Sequence, residues 1–180
     1  MKILRDNLFI YIDGRCKEIN MGKKEKDTRK RVMFISSVGG HLTQLLQLKK
    51  IFNDYNYVLV TEKTGVTTNM KEKYKTEYLV YGTRKYLFPY IFKFLFNIFK
   101  SLYLFIKYRP EVIVTTGTHT AVPMCYIARL FRRKVIESFA KQNSPTMAGK
   151  MVYPIATTFV VQWESMLQFY PKAEYWGWIY

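Results

Sequence analysis

The chain has two histidines, His41 and His119, and each follows a glycine-bearing turn: Ser36-Ser37-Val38-Gly39-Gly40-His41-Leu42-Thr43 and Thr116-Gly117-Thr118-His119. Adjacent glycines and hydroxyl side chains where a strand gives way to a helix leave backbone N–H groups open to a ligand, and the helix dipole favours an anion there. An imidazole beside such a cradle suits removal of a hydroxyl proton, because its pKa lies near working pH. Ser37, Gly39, Gly40 and Thr43 are therefore candidates for holding a phosphate or diphosphate, and His41 is the candidate base. Gly117, Thr118 and His119 are candidates for the other wall of the same crevice. Glu137 is a candidate to orient the base or to bind an acceptor sugar.

Other phosphate-binding schemes fit these residues less well. A Walker loop needs Gly-Lys-Ser/Thr at the helix start, and the chain has none. A dinucleotide fingerprint needs GxGxxG, whereas Gly39-Gly40 is followed by His41-Leu42-Thr43. Glu62 does stand where a ribose-binding acid would, which keeps a nucleotide oxidoreductase as a minor alternative. No His/Cys/Asp/Glu spacing suggests a metal, so the expectation is a metal-free site without a cofactor. One histidine after a strand is more often structural than functional; two converging on one crevice favour function.

The elements that must position these residues alternate. Short apolar runs at Val32–Ile35, Tyr57–Thr61, Glu77–Tyr81, Val112–Thr115, Lys134–Ile136 and Thr158–Val161 read as buried parallel strands. Between them, helices are predicted from Leu42 to Ile51, Leu87 to Ile106, Ala121 to Phe131, Thr146 to Tyr153 and Glu164 to Phe169, with a short surface helix between Thr64 and Tyr74. This order describes a Rossmann-like, doubly wound, mostly parallel α/β sheet. In such a sheet the first and fourth of these strands are neighbours where the winding reverses, and ligands bind beyond their carboxyl ends.

A length of 180 residues suits one domain, and 29 Lys plus Arg against 13 Asp plus Glu leave a net charge of +16. That charge calls for a polyanionic partner. Aromatic residues make up 17% of the chain and crowd into one segment, which favours an anionic membrane surface over nucleic acid. Cys16 and Cys125 form no disulfide framework or zinc motif. Residues 1–30 read as an N-terminal extension, with an apolar stretch at Leu8–Ile12 and a charged linker from Met21 to Arg31; that stretch is too short and too charged for a signal peptide or a membrane span. Residues 31–180 are the domain proper.

Within that domain, the helix of about 87–107 is almost wholly Phe, Leu, Ile and Tyr, with Lys93, Lys100 and Lys107 at heptad spacing and Asn97 between them. This predicts a polar stripe on an apolar helix. A lysine near mid-helix disfavours insertion by about 2.5 to 3.5 kcal/mol. A single span would also leave adjoining strands of one sheet on opposite sides of a bilayer. A peripheral helix is expected, with Phe92, Phe96 and Phe99 in the headgroup region and Lys93, Lys100 and Lys107 beside anionic lipid; burial against protein is the alternative.

Several blocks together carry a resemblance: Ser36–His41, Thr116-Gly117-Thr118 before Val122-Pro123, Ile136-Glu137-Ser138, Tyr153-Pro154, Val161-Gln162-Trp163-Glu164 and Tyr170-Pro171-Lys172-Ala173. Over about Arg31 to Tyr180 the chain resembles the membrane-associated subunit of two-component GT-B glycosyltransferases. Eukaryotic members act in N-glycan assembly and bacterial members in capsular or exopolysaccharide synthesis. The resemblance implies the N-terminal half of a GT-B enzyme, with a separate partner binding most of a UDP-sugar donor. It implies that Gly39, Gly40 and His41 face a polyprenyl-diphosphate-linked acceptor, and that Trp163, Trp176, Trp178 and Tyr180 help to hold the partner. The implied place is the cytoplasmic face of a membrane, peripherally. A non-catalytic membrane scaffold for the partner is the rival reading. The N-terminal span of eukaryotic members is not evident in this sequence.

Overall fold

A computed structural model describes residues 7–12, 15–20, 27–82 and 87–177. Two strands, β1 (Asn7–Ile12) and β2 (Arg15–Asn20), pair antiparallel as a sheet of their own. The rest follows β3 (Arg31–Ile35), α1 (Gly40–Gln47), β4 (Asn56–Lys63), α2 (Met70–Lys73), β5 (Thr76–Val80), α3 (Leu87–Tyr108) and β6 (Val112–Thr115). It continues with α4 (Val122–Leu130), β7 (Lys134–Phe139), α5 (Met147–Val152), β8 (Thr158–Val161) and β9 (Glu174–Tyr175). Tight 3-10 turns extend α1 through Leu48–Asp54 and follow β8 at Glu164–Gln168. Of the segment expected as a charged linker, residues 21–26 lie outside the described residues.

Seven strands form one parallel sheet in the order β5-β4-β3-β6-β7-β8-β9. β3 and β6 are neighbours, with Ile35 opposite Thr115. The chain leaves them toward opposite sides of the sheet, so both glycine turns stand at the point of reversal, as the sequence predicts. β7 runs on past Glu137 to Phe139, and β9 is an addition to the predicted set. Its two residues are too few to show any alternation.

Strand alternation divides the core. On one face Met33, Ile35, Val58, Val60, Ile113 and Val135 pack against α3, α4 and α5 through Leu104, Phe105, Met124, Ala128 and Val152. On the other, Val32, Phe34 and Leu59 pack against Leu42, Leu45 and Phe52. Beside that second cluster an apolar groove of about 380 Å³ lies along β6, β7 and β8, lined by Val114, Ile136, Val160, Ile51 and Trp176 among others.

α3 stops after Tyr108 because Pro110 disfavours helical geometry at the preceding residue; Arg109 takes a left-handed conformation at φ 46°. Its outer face stays open: Phe92, Phe96 and Phe99 are 60%, 53% and 65% exposed, and Phe88, Ile91, Leu95, Tyr103 and Ile106 are exposed with them. Lys93 is exposed and Lys100 half-buried along one border of this face. The predicted polar stripe needs correction at Asn97. That side chain is buried, donating to the Val80 carbonyl at 2.8 Å and accepting from the Val80 N–H at 2.9 Å. Lys107 is also engaged, donating to Glu77 at 2.6 Å, where the Tyr108 hydroxyl joins it. Burial pushes the Glu77 pKa up, but these two hydrogen bonds outweigh it and hold the group below its usual range. The stripe therefore anchors the helix to β5 as much as it meets solvent. No helix among the described residues is long and apolar enough to cross a membrane.

Replacing Asn97 by Ala removes both bonds to Val80 and is expected to lower stability by about 1 to 3 kcal/mol. The urea midpoint should drop with an unchanged m-value.

Candidate functional site

The first turn begins where β3 ends. Gly39 takes φ 88°, a conformation that side chains resist, and its carbonyl accepts the Thr43 N–H at 3.1 Å to open α1. No side chain caps this helix start. A Cβ built at Gly39 or Gly40 would meet nothing within 4 Å, so the backbone there faces open space. The Thr43 hydroxyl turns back to the Gly39 carbonyl at 3.3 Å.

Contacts across the point of reversal hold this turn against the one after β6. The Ser37 N–H donates to the Thr118 hydroxyl at 3.2 Å. The Thr116 hydroxyl donates to the His41 carbonyl at 3.0 Å, and His41 Nδ1 lies 2.7 Å from the Thr116 carbonyl oxygen. A carbonyl can only accept, so Nδ1 carries the proton, and in the neutral ring Nε2 keeps its lone pair. His41 is exposed. The ring is thus fixed in the tautomer that a base acting through Nε2 requires.

Glu62 binds the two turns together and is not available for the ribose role weighed from sequence. It is 2% exposed, with Oε1 accepting from the Thr120 hydroxyl at 2.8 Å and Oε2 from the Val38 N–H at 3.3 Å. Its position at the end of a strand was visible in the sequence; its partners, 58 and 24 residues away, were not. Thr116 and Thr120 were likewise missed as site residues, and no local signal marks them.

Two other candidates have different surroundings from His41. His119 is half-buried on the α3 side, its ring 6.0 Å from that of Tyr90. Glu137 is fully buried, and neither carboxyl oxygen has a hydrogen-bond partner, so it does not orient His41. It lies beneath the second turn: a Cβ on Gly117, itself at φ 83°, would come within 2.9 Å of Glu137 Oε1. Burial pushes the Glu137 pKa from 4.5 up to about 8, which keeps the group neutral beside the buried thiol of Cys125. Trp163 is half-buried, donating to the Ala140 carbonyl at 3.2 Å and packing on the cluster around Phe139 and Tyr170. It therefore supports the chain's own core. Trp176 is 59% exposed, while Trp178 and Tyr180 lie outside the described residues.

The family "Oligosaccharide biosynthesis protein Alg14 like" matches residues 32–179. The chain belongs to this family. A UDP-N-acetylglucosamine transferase subunit ALG14 of Candida albicans is 39% identical over a match spanning 48% of this chain and 42% of the relative. The subunit of that name in Debaryomyces hansenii is 28% identical, over 91% of this chain and 83% of the relative. These names lend no support to the expectation of capsule or exopolysaccharide synthesis. Among solved structures, MurG of Acinetobacter baumannii superposes with a TM-score of 0.61 at 17% identity, over 76% of this chain and 42% of MurG. This Alg14-like chain thus has the fold of the N-terminal half of a GT-B protein and spans less than half of MurG's length.

The buried acid of this Alg14-like fold gives stability a definite pH dependence. The folded state holds the Glu137 proton more tightly than the unfolded chain. Its contribution is therefore complete below about pH 4.5 and is lost as pH rises to about 8. The loss is about 1.4 kcal/mol per pH unit within that window. Glu137→Gln, which cannot ionise, is expected to become progressively more stable than the wild type across that range and to keep a constant advantage above it. Denaturant titrations at several pH values measure the difference.

Proposed function

We propose that this chain is the acceptor-side subunit of a UDP-N-acetylglucosamine transferase acting on a polyprenyl-diphosphate-linked saccharide, active only together with a donor-binding partner chain. The observation that carries this reading is the His41 ring, locked through Nδ1 to Thr116 at the mouth of an uncapped, glycine-opened helix start. Backbone N–H groups at Gly39 and Gly40, with the Ser37 and Thr43 side chains near them, suit the acceptor diphosphate. The relatives' name as transferase subunits supports both the activity and the partner.

In the proposed reaction the acceptor hydroxyl gives its proton to His41 Nε2 while its oxygen bonds to the anomeric carbon of the donor sugar. The bond from that carbon to the nucleotide diphosphate breaks, and UDP leaves with the bonding electrons. Attack from the face opposite the leaving group inverts the anomeric centre. Glu137 acts from below by supporting the Gly117 turn, without touching the sugar.

Two surfaces suit the assembly. The apolar groove beside Trp176, with Lys30 and Lys134 also lining it, fits a partner segment. The exposed Phe face of α3, bordered by Lys93 and Lys100, fits the cytoplasmic headgroup region of an anionic membrane, with the chain held peripherally.

The chain alone should transfer no sugar. In the complex with its partner, His41→Ala is expected to lower kcat by about 10²- to 10⁴-fold with assembly unchanged in co-purification. A near-normal rate in that variant would leave the chain as a scaffold without a base. For the membrane surface, Asp in place of Phe92, Phe96 and Phe99 should abolish sedimentation with phosphatidylserine vesicles while the complex stays assembled.

A further inference from the structure

Beside the cradle, on the α3 side, lies a second cavity that the proposed transfer chemistry does not use. It has a volume of about 290 Å³ and runs between α3 and α5 over the start of α4, lined by Tyr90, Phe94, Val122, Met147 and Met151, with His119 at one end. Its described lining contains no Lys, Arg, Asp or Glu. A sugar or nucleotide buried there would find few polar partners, whereas a hydrocarbon would lose nothing. The outer wall is methionine: Met147 and Met151 are 65% and 41% exposed, and their unbranched side chains adapt to irregular apolar ligands.

The position of the slot identifies its occupant. At the inner end, His119 belongs to the turn whose Thr118 hydroxyl holds Ser37, so the slot opens next to the proposed diphosphate cradle. A smaller cavity shares Tyr90, Phe94 and His119 with it and reaches Glu62 and Thr120. Tyr90, its ring 6.0 Å from that of His119, lines this same end, and the exposed Met147 and Met151 form the wall toward solvent. A ligand that is anionic at one end and hydrocarbon beyond it would meet the polar turn and, beside it, this apolar slot. We propose that this slot binds the first isoprenoid units of the diphosphate-linked acceptor. The inference rests on the acceptor-side reading above and adds a subsite to it.

Binding of farnesyl diphosphate and methyl diphosphate to the assembled complex, by titration calorimetry without vesicles, tests the slot separately from catalysis. The wild type is expected to bind farnesyl diphosphate at least tenfold more tightly than methyl diphosphate. Met147→Asp and Met151→Asp should each remove most of that preference and leave methyl diphosphate affinity unchanged, while Met151→Leu and Phe99→Lys keep it. Equal affinity of the wild type for the two ligands overturns the slot, as does an undiminished preference in the Asp variants or equal loss of both ligands. If the Asp variants do not fold, a photoreactive farnesyl diphosphate decides: crosslinks to α3 and α5 around Phe94 and Met151 uphold the slot, and their absence overturns it. Failure of the transferase reading appears elsewhere, as absent sugar transfer by the wild-type complex.

Discussion

A buried carboxylate, Glu62, is the contact on which the candidate site depends. Where a doubly wound sheet reverses direction, the connections leaving adjacent strands diverge and open a gap. Here β4, one strand away, sends Glu62 into that gap, and its two oxygens take the Val38 N–H from one turn and the Thr120 hydroxyl from the other. A buried polar group is tolerated only with such partners. The Ser37–Thr118 and His41–Thr116 contacts then close around the same gap. These contacts, all made within the chain, fix the two turns against each other.

Much of this architecture was legible in the sequence because it depends on local pattern. Runs such as Val32–Ile35 and Val112–Val114 are apolar throughout, as strands buried on both faces tend to be, and the glycines follow them. What escaped the sequence depends on partners far along the chain. Asn97 has the heptad spacing of the lysines, yet its amide is buried against Val80. Glu62 and Glu137 both end or nearly end strands, but one is doubly hydrogen-bonded and the other is orphaned under a glycine. Nothing local separates them. His119 matched His41 in sequence context and differs because the α3 side supplies an aromatic wall.

The two faces of the molecule divide its tasks. α3, α4 and α5 gather on one side of the sheet, so the chain's long apolar helix, its slot and the second turn share that side. The other side carries α1 and the groove that includes Trp176. The exposed face of α3 and the groove beside Trp176 therefore lie on opposite sides of the sheet and do not compete for space.

The Asn97 side chain has a consequence beyond holding α3. β5 is the outermost strand on its side of the sheet, and an outermost strand offers unpaired N–H and C=O groups to any extended segment that drifts near. Asn97 occupies both backbone groups of Val80, as a neighbouring strand would. The amide acts as a one-residue surrogate strand that blocks lateral growth of the sheet. An extended segment approaching this edge finds the Val80 position already taken.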